Sequence, residues 1–133
     1  MAAAGRAVTP HFKLSEFTCK CGCRMPASAQ VAYERLARAL EVLRAELGCP
    51  INVISGYRCH ARNAAVGGAA LSQHVIGAAV DIQVDGHTGE TLAAVIEGLI
   101  ALGKMPNGGI GTYPDRKLTC HYDLRKKPAR WQS

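Results

Sequence analysis

Aromatic side chains are scarce here: two Phe, four Tyr and one Trp supply 5% of the 133 residues. Only Trp131 directly adjoins one of the basic residues gathered toward the C-terminal end, Arg116, Lys117, Arg125, Lys126, Lys127 and Arg130. A nucleic-acid groove interleaves its charges with stacking platforms or carries a recognised motif, so nucleic-acid binding is not expected. No apolar run approaches the length of a membrane span, which argues against membrane insertion. Nor does a charged segment followed by an apolar core open the chain, so it is expected to be made in the cytoplasm without a signal peptide. Repeats, linkers and low-complexity stretches are missing too, apart from the Ala-rich first residues. A chain of this length buries one adequate core. One domain is therefore expected at residues 11–133, behind a loose N-terminus at 1–10, and the protein is expected to be a monomer.

What the sequence does have is ordered punctuation. Pro26-Ala27-Ser28 opens a segment from Ala29 to Leu47 in which Val31, Leu36, Leu40, Leu43 and Leu47 recur at helical spacing, and Gly48 stops it. Ile51 to Ser55 alternates like a strand and leaves Tyr57 and Arg58 in a loop. Arg62 to Leu71 reads as loop with a short helix. Val80, Ile82 and Val84 mark a strand. Thr88 is a candidate N-cap for a second helix to about Leu102, with Leu92, Val95, Ile96, Leu99 and Ile100 as its buried face and Gly103 as its end. Leu118 to Arg125 is rich in strand formers and follows the turn-like Tyr113-Pro114-Asp115. Helices and strands segregate, which predicts an α+β fold with two main helices packed on a small, mainly antiparallel sheet.

Reactive side chains concentrate in two of these segments. In Ser72-Gln73-His74-Val75-Ile76-Gly77-Ala78-Ala79-Val80-Asp81-Ile82, alternation puts Asp81 on the strand face opposite Val80, Ile82 and Val84. Gly77, Ala78 and Ala79 let backbone pass close to bulky groups just before it. On the later strand Thr119, His121, Asp123 and Arg125 share one face. Adjacent strands would bring Asp81, His121 and Asp123 to a common cleft, with His74 arriving from the preceding loop. A single His near a strand is commonly a hydrogen-bonded surface residue. Two His and a carboxylate together are the N/N/O set with which a catalytic zinc site leaves its fourth position open, so the combination argues for a metallohydrolase.

Ser55-Gly56-Tyr57-Arg58, then Asn63, Gly67-Gly68, Ser72-Gln73-His74, Gly77, Ala79 and Asp81-Ile82, resembles the M15 family of zinc peptidases, the D-alanyl-D-alanine carboxypeptidases and murein endopeptidases. Phe12-Lys13-Leu14-Ser15-Glu16-Phe17, Gly108 to Pro114, His121-Tyr122-Asp123 and Ala129-Arg130-Trp131 look like the branch common in phage endolysins. The resemblance covers nearly the whole chain. It implies a peptidase acting on peptidoglycan stem peptides or cross-bridges, with one catalytic zinc held by His74, Asp81 and His121. It also implies that Arg58 steadies the substrate and the oxyanion, for which a guanidinium supplies a fork of donors. Ser72 and Gln73 would contact substrate backbone or orient His74. Several branches carry an acid a few residues before the last zinc histidine, but Leu118 and Thr119 stand there in this chain. Asp123 becomes the candidate base, or else the third ligand with His121 beside the water; ligation by His121 is preferred because neutral imidazole is the commoner zinc partner. The alternative function is a non-catalytic, zinc-containing wall-binding module of the same fold, against which the presence of both Arg58 and Asp123 argues. His11, His60 and His87 fall outside the pattern and are assigned to surface or packing.

The net charge of +6 suits the anionic polymers of a bacterial envelope. The chain would reach the wall after release through a membrane lesion or by delivery with a phage-like particle. Six cysteines are present, and Cys19, Cys21 and Cys23 depart from the Cys-x-x-Cys spacing of structural zinc knuckles. Reduced thiols, or one redox-dependent bridge from this loop to Cys49 or Cys59, are favoured over a second, structural zinc. Cys120 faces away from the ligand side of its strand and reads as a small buried hydrophobe.

Overall fold

A computed structural model describes residues 7–67, 72–76 and 78–132. Gly68, Leu71 and Gly77, all named above, lie outside the described residues, as does the 1–6 part of the expected loose N-terminus. Helix α1 (Ala27–Leu47) buries Leu36, Leu40 and Leu43 and ends on Gly48, whose φ of 69° is the left-handed conformation that lets its N–H reach Arg44 O. Val31 shares the helical spacing but is 61% exposed, because it falls off the stripe that faces the sheet. Helix α4 (Gly89–Ala101) starts at the predicted cap, with Thr88 Oγ1 accepting from Thr91 N at 3.1 Å, and buries Leu92, Ile96 and Leu99. Short helices α2 (His60–Ala65) and α3 (Gln73–Ile76) lie between them in the chain.

Strands β3 (Asn52–Ser55), β4 (Ala79–Gln83), β5 (Gly109–Thr112), β6 (Cys120–Asp123) and β7 (Ala129–Gln132) form one sheet in the order β3-β4-β6-β5-β7. The α+β expectation stands, but the sheet is mixed. β3–β4, β4–β6 and β5–β6 are antiparallel, whereas β5–β7 is parallel. The reason is positional: β4 already occupies the other side of β6, so β7 returns to the free edge of β5, where it runs in the same direction as β5. The predicted strand at Leu118–Arg125 narrows to Cys120–Asp123.

Period-two alternation sorts the sheet into a helix face and a reactive face. Val80, Ile82, Ile110, Cys120 and Tyr122 join the α1 and α4 residues in the core. Tyr33 of α1 pins the start of β4, its hydroxyl donating to Ala79 O at 2.9 Å and accepting from Ala79 N at 3.2 Å. Strands β5 and β7 have no counterpart in the sequence expectations, and neither do two further strands outside this sheet. β1 (Ala7–Thr9), in the segment expected to be loose, pairs with β2 (Phe12–Lys13), and a 3₁₀ turn follows at Leu14–Phe17. These strands are too short for alternation to register. They carry Phe12, Leu14 and Phe17 into the core.

Candidate metal centre

On the face opposite the core, ladder register places Ser55, Asp81, His121, Gly111 and Trp131 in one row across β3, β4, β6, β5 and β7. Residues directly opposite in neighbouring strands present side chains to the same side. Asp81 and His121 therefore meet as predicted, with His121 Nδ1 lying 3.4 Å from Asp81 Oδ1. Gly111 gives the Trp131 indole its place, since a Cβ there would lie 2.4 Å from the ring. The indole centroid is then 4.7 Å from that of His121. In the next row Gly109 faces Asp123, and a Cβ on Gly109 would lie 2.4 Å from Asp123 Oδ2. Both glycines are required by what occupies the space above them.

His74 arrives on α3. Ser72 Oγ accepts from His74 N at 3.2 Å, and Arg58 N donates to His74 O at 3.0 Å. His74 Nδ1 is 2.7 Å from Gly56 O. A carbonyl only accepts, so Nδ1 carries the proton and Nε2 of the neutral ring keeps its lone pair. That atom is buried, has no hydrogen-bond partner among the described residues, and lies 3.3 Å from Asp81 Oδ2. His121 is oriented the same way from behind: its Nε2 donates to Asp123 Oδ2 at 2.7 Å, which leaves Nδ1 as the lone pair directed at Asp81. Tyr113 completes the set by donating to Asp81 Oδ1 at 2.8 Å.

Two imidazole lone pairs and a carboxylate thus converge in a space where all three residues are at most 4% exposed. A buried cluster of acceptors needs a cation among them. The dimensions admit one: the three ligand atoms lie within 4.8 Å of one another, and each imidazole nitrogen stands 3.3–3.4 Å from its own carboxylate oxygen, near the roughly 3.3–3.4 Å between ligands 2.0–2.1 Å from a tetrahedral zinc. A charge-assisted N–H···O bond would be shorter, about 2.7–2.9 Å. Burial works to raise the pKa of Asp81, but the close approach of His121 and His74 outweighs it and holds the carboxyl far below its usual range. His74, Asp81 and His121 are one of two groups among the described residues able to hold a metal ion.

The remaining sequence-predicted residues divide. Arg58 is half-buried on the segment that also supplies Gly56 O, and its charge is felt at Tyr113 and Tyr33. Its Nε is buried with no hydrogen-bond partner among the described residues. Ser72 caps α3 and so positions His74, while Gln73 is half-buried in the first turn of that helix. Asp123 is brought to His121 at the ring nitrogen opposite the one that faces Asp81. Its side chain is 0% exposed, and its oxygens accept from His121 Nε2, Gly109 N, Arg125 N and the Arg125 guanidinium. Burial would raise its pKa, yet His121 and Arg125 hold it well below the carboxylate range. With every oxygen engaged behind the imidazole, Asp123 is arranged to orient His121. Cys120 behaves as predicted: burial and the nearby Asp81 charge push its thiol up to about 12, so it stays neutral.

Sequence reasoning passes over Tyr113, Gly56, Trp131 and Arg125 as parts of the centre. In sequence Tyr113 is a turn residue and Arg125 belongs to a basic end. Their only signal is their position beside the two glycines and His121.

Fold and site together define a class: a single-domain α+β protein whose sheet carries a buried His/Asp/His group able to hold a metal ion. The chain belongs to the peptidase M15 family, a family of zinc-dependent metallopeptidases, whose match covers residues 10–119. That span contains His74 and Asp81 but ends before His121, so the third ligand rests on the geometry above. A comparison with curated proteins finds no match.

Proposed function

We propose that this chain is a zinc peptidase that hydrolyses peptide bonds of bacterial peptidoglycan, in a stem peptide or a cross-bridge, as a carboxypeptidase or endopeptidase of cell-wall lytic, endolysin-like type. The observation that carries the reading is the convergence of His74 Nε2, His121 Nδ1 and the Asp81 carboxylate, in a chain of the M15 family. Zinc held by these three residues would supply Lewis-acid polarisation of a peptide carbonyl and an acidified water as nucleophile. The chain's own groups do the rest. Asp123 fixes the tautomer and angle of His121, and Gly56 O does the same for His74. Tyr113 holds Asp81, and the burial of all three ligands keeps bulk water from competing with a bound peptide. Arg58 offers its guanidinium to the carbonyl oxygen as charge grows there, or to a terminal carboxylate. Net charge supports an anionic wall as the setting, although Arg125 and Arg130 are committed to Asp123 and Glu97 and leave Arg116, Lys117, Lys126 and Lys127 as the exposed cations of that end with no ion pair among the described residues.

One observation favours the non-catalytic reading, a wall-binding module: the Asp123 oxygens are already engaged by His121, Gly109 and Arg125. Digestion separates the two. Zinc-loaded protein incubated with purified sacculi should release fragments whose masses identify the cleaved bond, and His74→Ala protein should release none. Intact sacculi that retain the zinc-loaded protein without any fragment release would establish the binding module instead.

A further inference from the structure

Outside the histidine centre, Cys19, Cys21, Cys23 and Cys59 bring their sulfurs within 4.8 Å of one another. Three of the separations are 3.3 Å for Cys19–Cys21, 3.6 Å for Cys21–Cys59 and 3.7 Å for Cys19–Cys59. Hydrophobic packing accounts for Cys19, in the core, and for Cys23 and Cys59 against it, but not for the exposed Cys21, whose sulfur joins theirs all the same. Thiolates 2.3 Å from a tetrahedral zinc stand about 3.8 Å apart, close to what the chain already provides. The backbone is shaped for it. Gly22, at φ 85°, turns the chain so that its N–H reaches Cys19 O at 3.0 Å and three alternate cysteines fold back on one point. Two sulfurs also accept backbone N–H groups: Cys21 from Cys23 N and Cys59 from Arg62 N, each at 3.4 Å. A thiol is a poor acceptor, and a metal-bound thiolate is the form that such donors stabilise.

We propose that Cys19, Cys21, Cys23 and Cys59 form a second metal site, a four-thiolate cage for zinc that is separate from the histidine centre and structural in role. Its position gives it a task. Cys59 caps α2 immediately after Tyr57-Arg58, and the Cys19–Cys23 turn follows Phe17. Between these points the chains already touch: Tyr57 N donates to Phe17 O at 2.8 Å, and a Cβ on Gly56 would lie 2.7 Å from that oxygen. A metal joining the turn to Cys59 locks this crossing, and with it Gly56 O, which orients His74, and the segment bearing Arg58. A closed set of four thiolates leaves no position for substrate, so the ion contributes rigidity and no chemistry. Loading displaces the thiol protons, which makes the cage acid-sensitive.

The test counts and identifies metal independently of turnover. Protein purified under reducing conditions should hold about two zinc ions per chain if both centres fill, and His74→Ala protein about one. Cobalt exchanged into the His74→Ala variant should give intense thiolate-to-cobalt charge-transfer absorption, and Cys59→Ser should abolish it. Cys21→Ser, at an exposed position, guards against simple misfolding by giving the same loss in a chain whose circular dichroism is unchanged. In folded wild-type protein, a thiol-blocking reagent should release one equivalent of zinc, followed with a chromogenic chelator, and lower the thermal midpoint. The proposal is overturned if His74→Ala protein binds no zinc or its cobalt form lacks the charge-transfer band. It is equally overturned if these four cysteines are found as disulfides in protein kept under reducing conditions, or if they are blocked in wild-type protein without metal release.

Discussion

Replacing Asp123 by Asn keeps the volume and removes one charge from a side chain with no access to water. In the folded protein this carboxylate accepts from His121 at 2.7 Å, from two backbone N–H groups at 3.0 Å and from the Arg125 guanidinium at 2.7–3.1 Å. The amide can keep one acceptor but must point its NH₂ at a donor. Breaking a buried ion pair costs about 3–5 kcal/mol when the surviving charge stays buried. Arg125 is 27% exposed and recovers some solvent, so about 2–3 kcal/mol is expected. For a domain of this size that lowers Tm by roughly 6–12 °C. Because the native carboxyl is held below its ordinary range, this contribution is complete above about pH 4 and fades as pH falls toward the depressed native value. Variant and parent should therefore converge in stability in strong acid. At the metal, losing the group that orients a ligating histidine costs about 10–100-fold in affinity. Chelator competition, with any thiolate-held metal counted separately by its cobalt absorption, should find zinc bound in that weakened range and turnover recovering in excess zinc. Complete loss of the site would make Asp123 a ligand. Undiminished zinc affinity with turnover down by about a hundredfold or more would make it the base, and either result refutes the positioning role.

Arg58→Lys should lower kcat more than it raises KM if the guanidinium meets charge growing on the carbonyl, because an ammonium lacks the donor fork; an effect confined to KM would assign Arg58 to a terminal carboxylate, and an enzyme as fast as the parent would remove it from the site. Gly111→Ala should displace the indole that lies 2.4 Å from the new Cβ, costing about 1–3 kcal/mol and weakening zinc through His121. Trp131 is the only tryptophan, so its fluorescence reports both effects directly, and an unchanged emission spectrum with parental stability would show that the row does not pack as described. Activity on intact sacculi should fall with salt more steeply than activity on a small soluble muropeptide, since screening beyond about 10 Å at 0.1 M ionic strength weakens attraction to the wall but not a buried contact. Equal salt dependence for both substrates would separate the +6 charge from wall targeting.

Periodicity makes the two long helices and the pairing of Asp81 with His121 legible in the sequence, because each rests on a repeat that a window of residues can display. The same periodicity sets Asp123 beside His121 but leaves its task open. Alternation says that both side chains emerge on one face; it does not say on which side of an imidazole a carboxylate ends, and that is decided by Gly109 on a neighbouring strand and by Arg125 beyond the end of β6. Strand β7 is hidden for a related reason. Ala129–Gln132 is short and its exposure pattern is weak, so nothing local distinguishes it, and its parallel pairing with β5 depends on where β4 has already settled.

The cysteines are the extreme case of a site assembled by contacts between distant segments. Spacing along the chain puts Cys19, Cys21 and Cys23 outside the familiar knuckle pattern, which is correct for three residues taken alone. The fourth sulfur comes from a helix cap 36 positions after Cys23, at a point where Phe17 and Gly56 are in backbone contact. A ligand set completed across a chain crossing has no sequence period. It becomes visible only once the glycine that permits the crossing is known to have no room for a side chain.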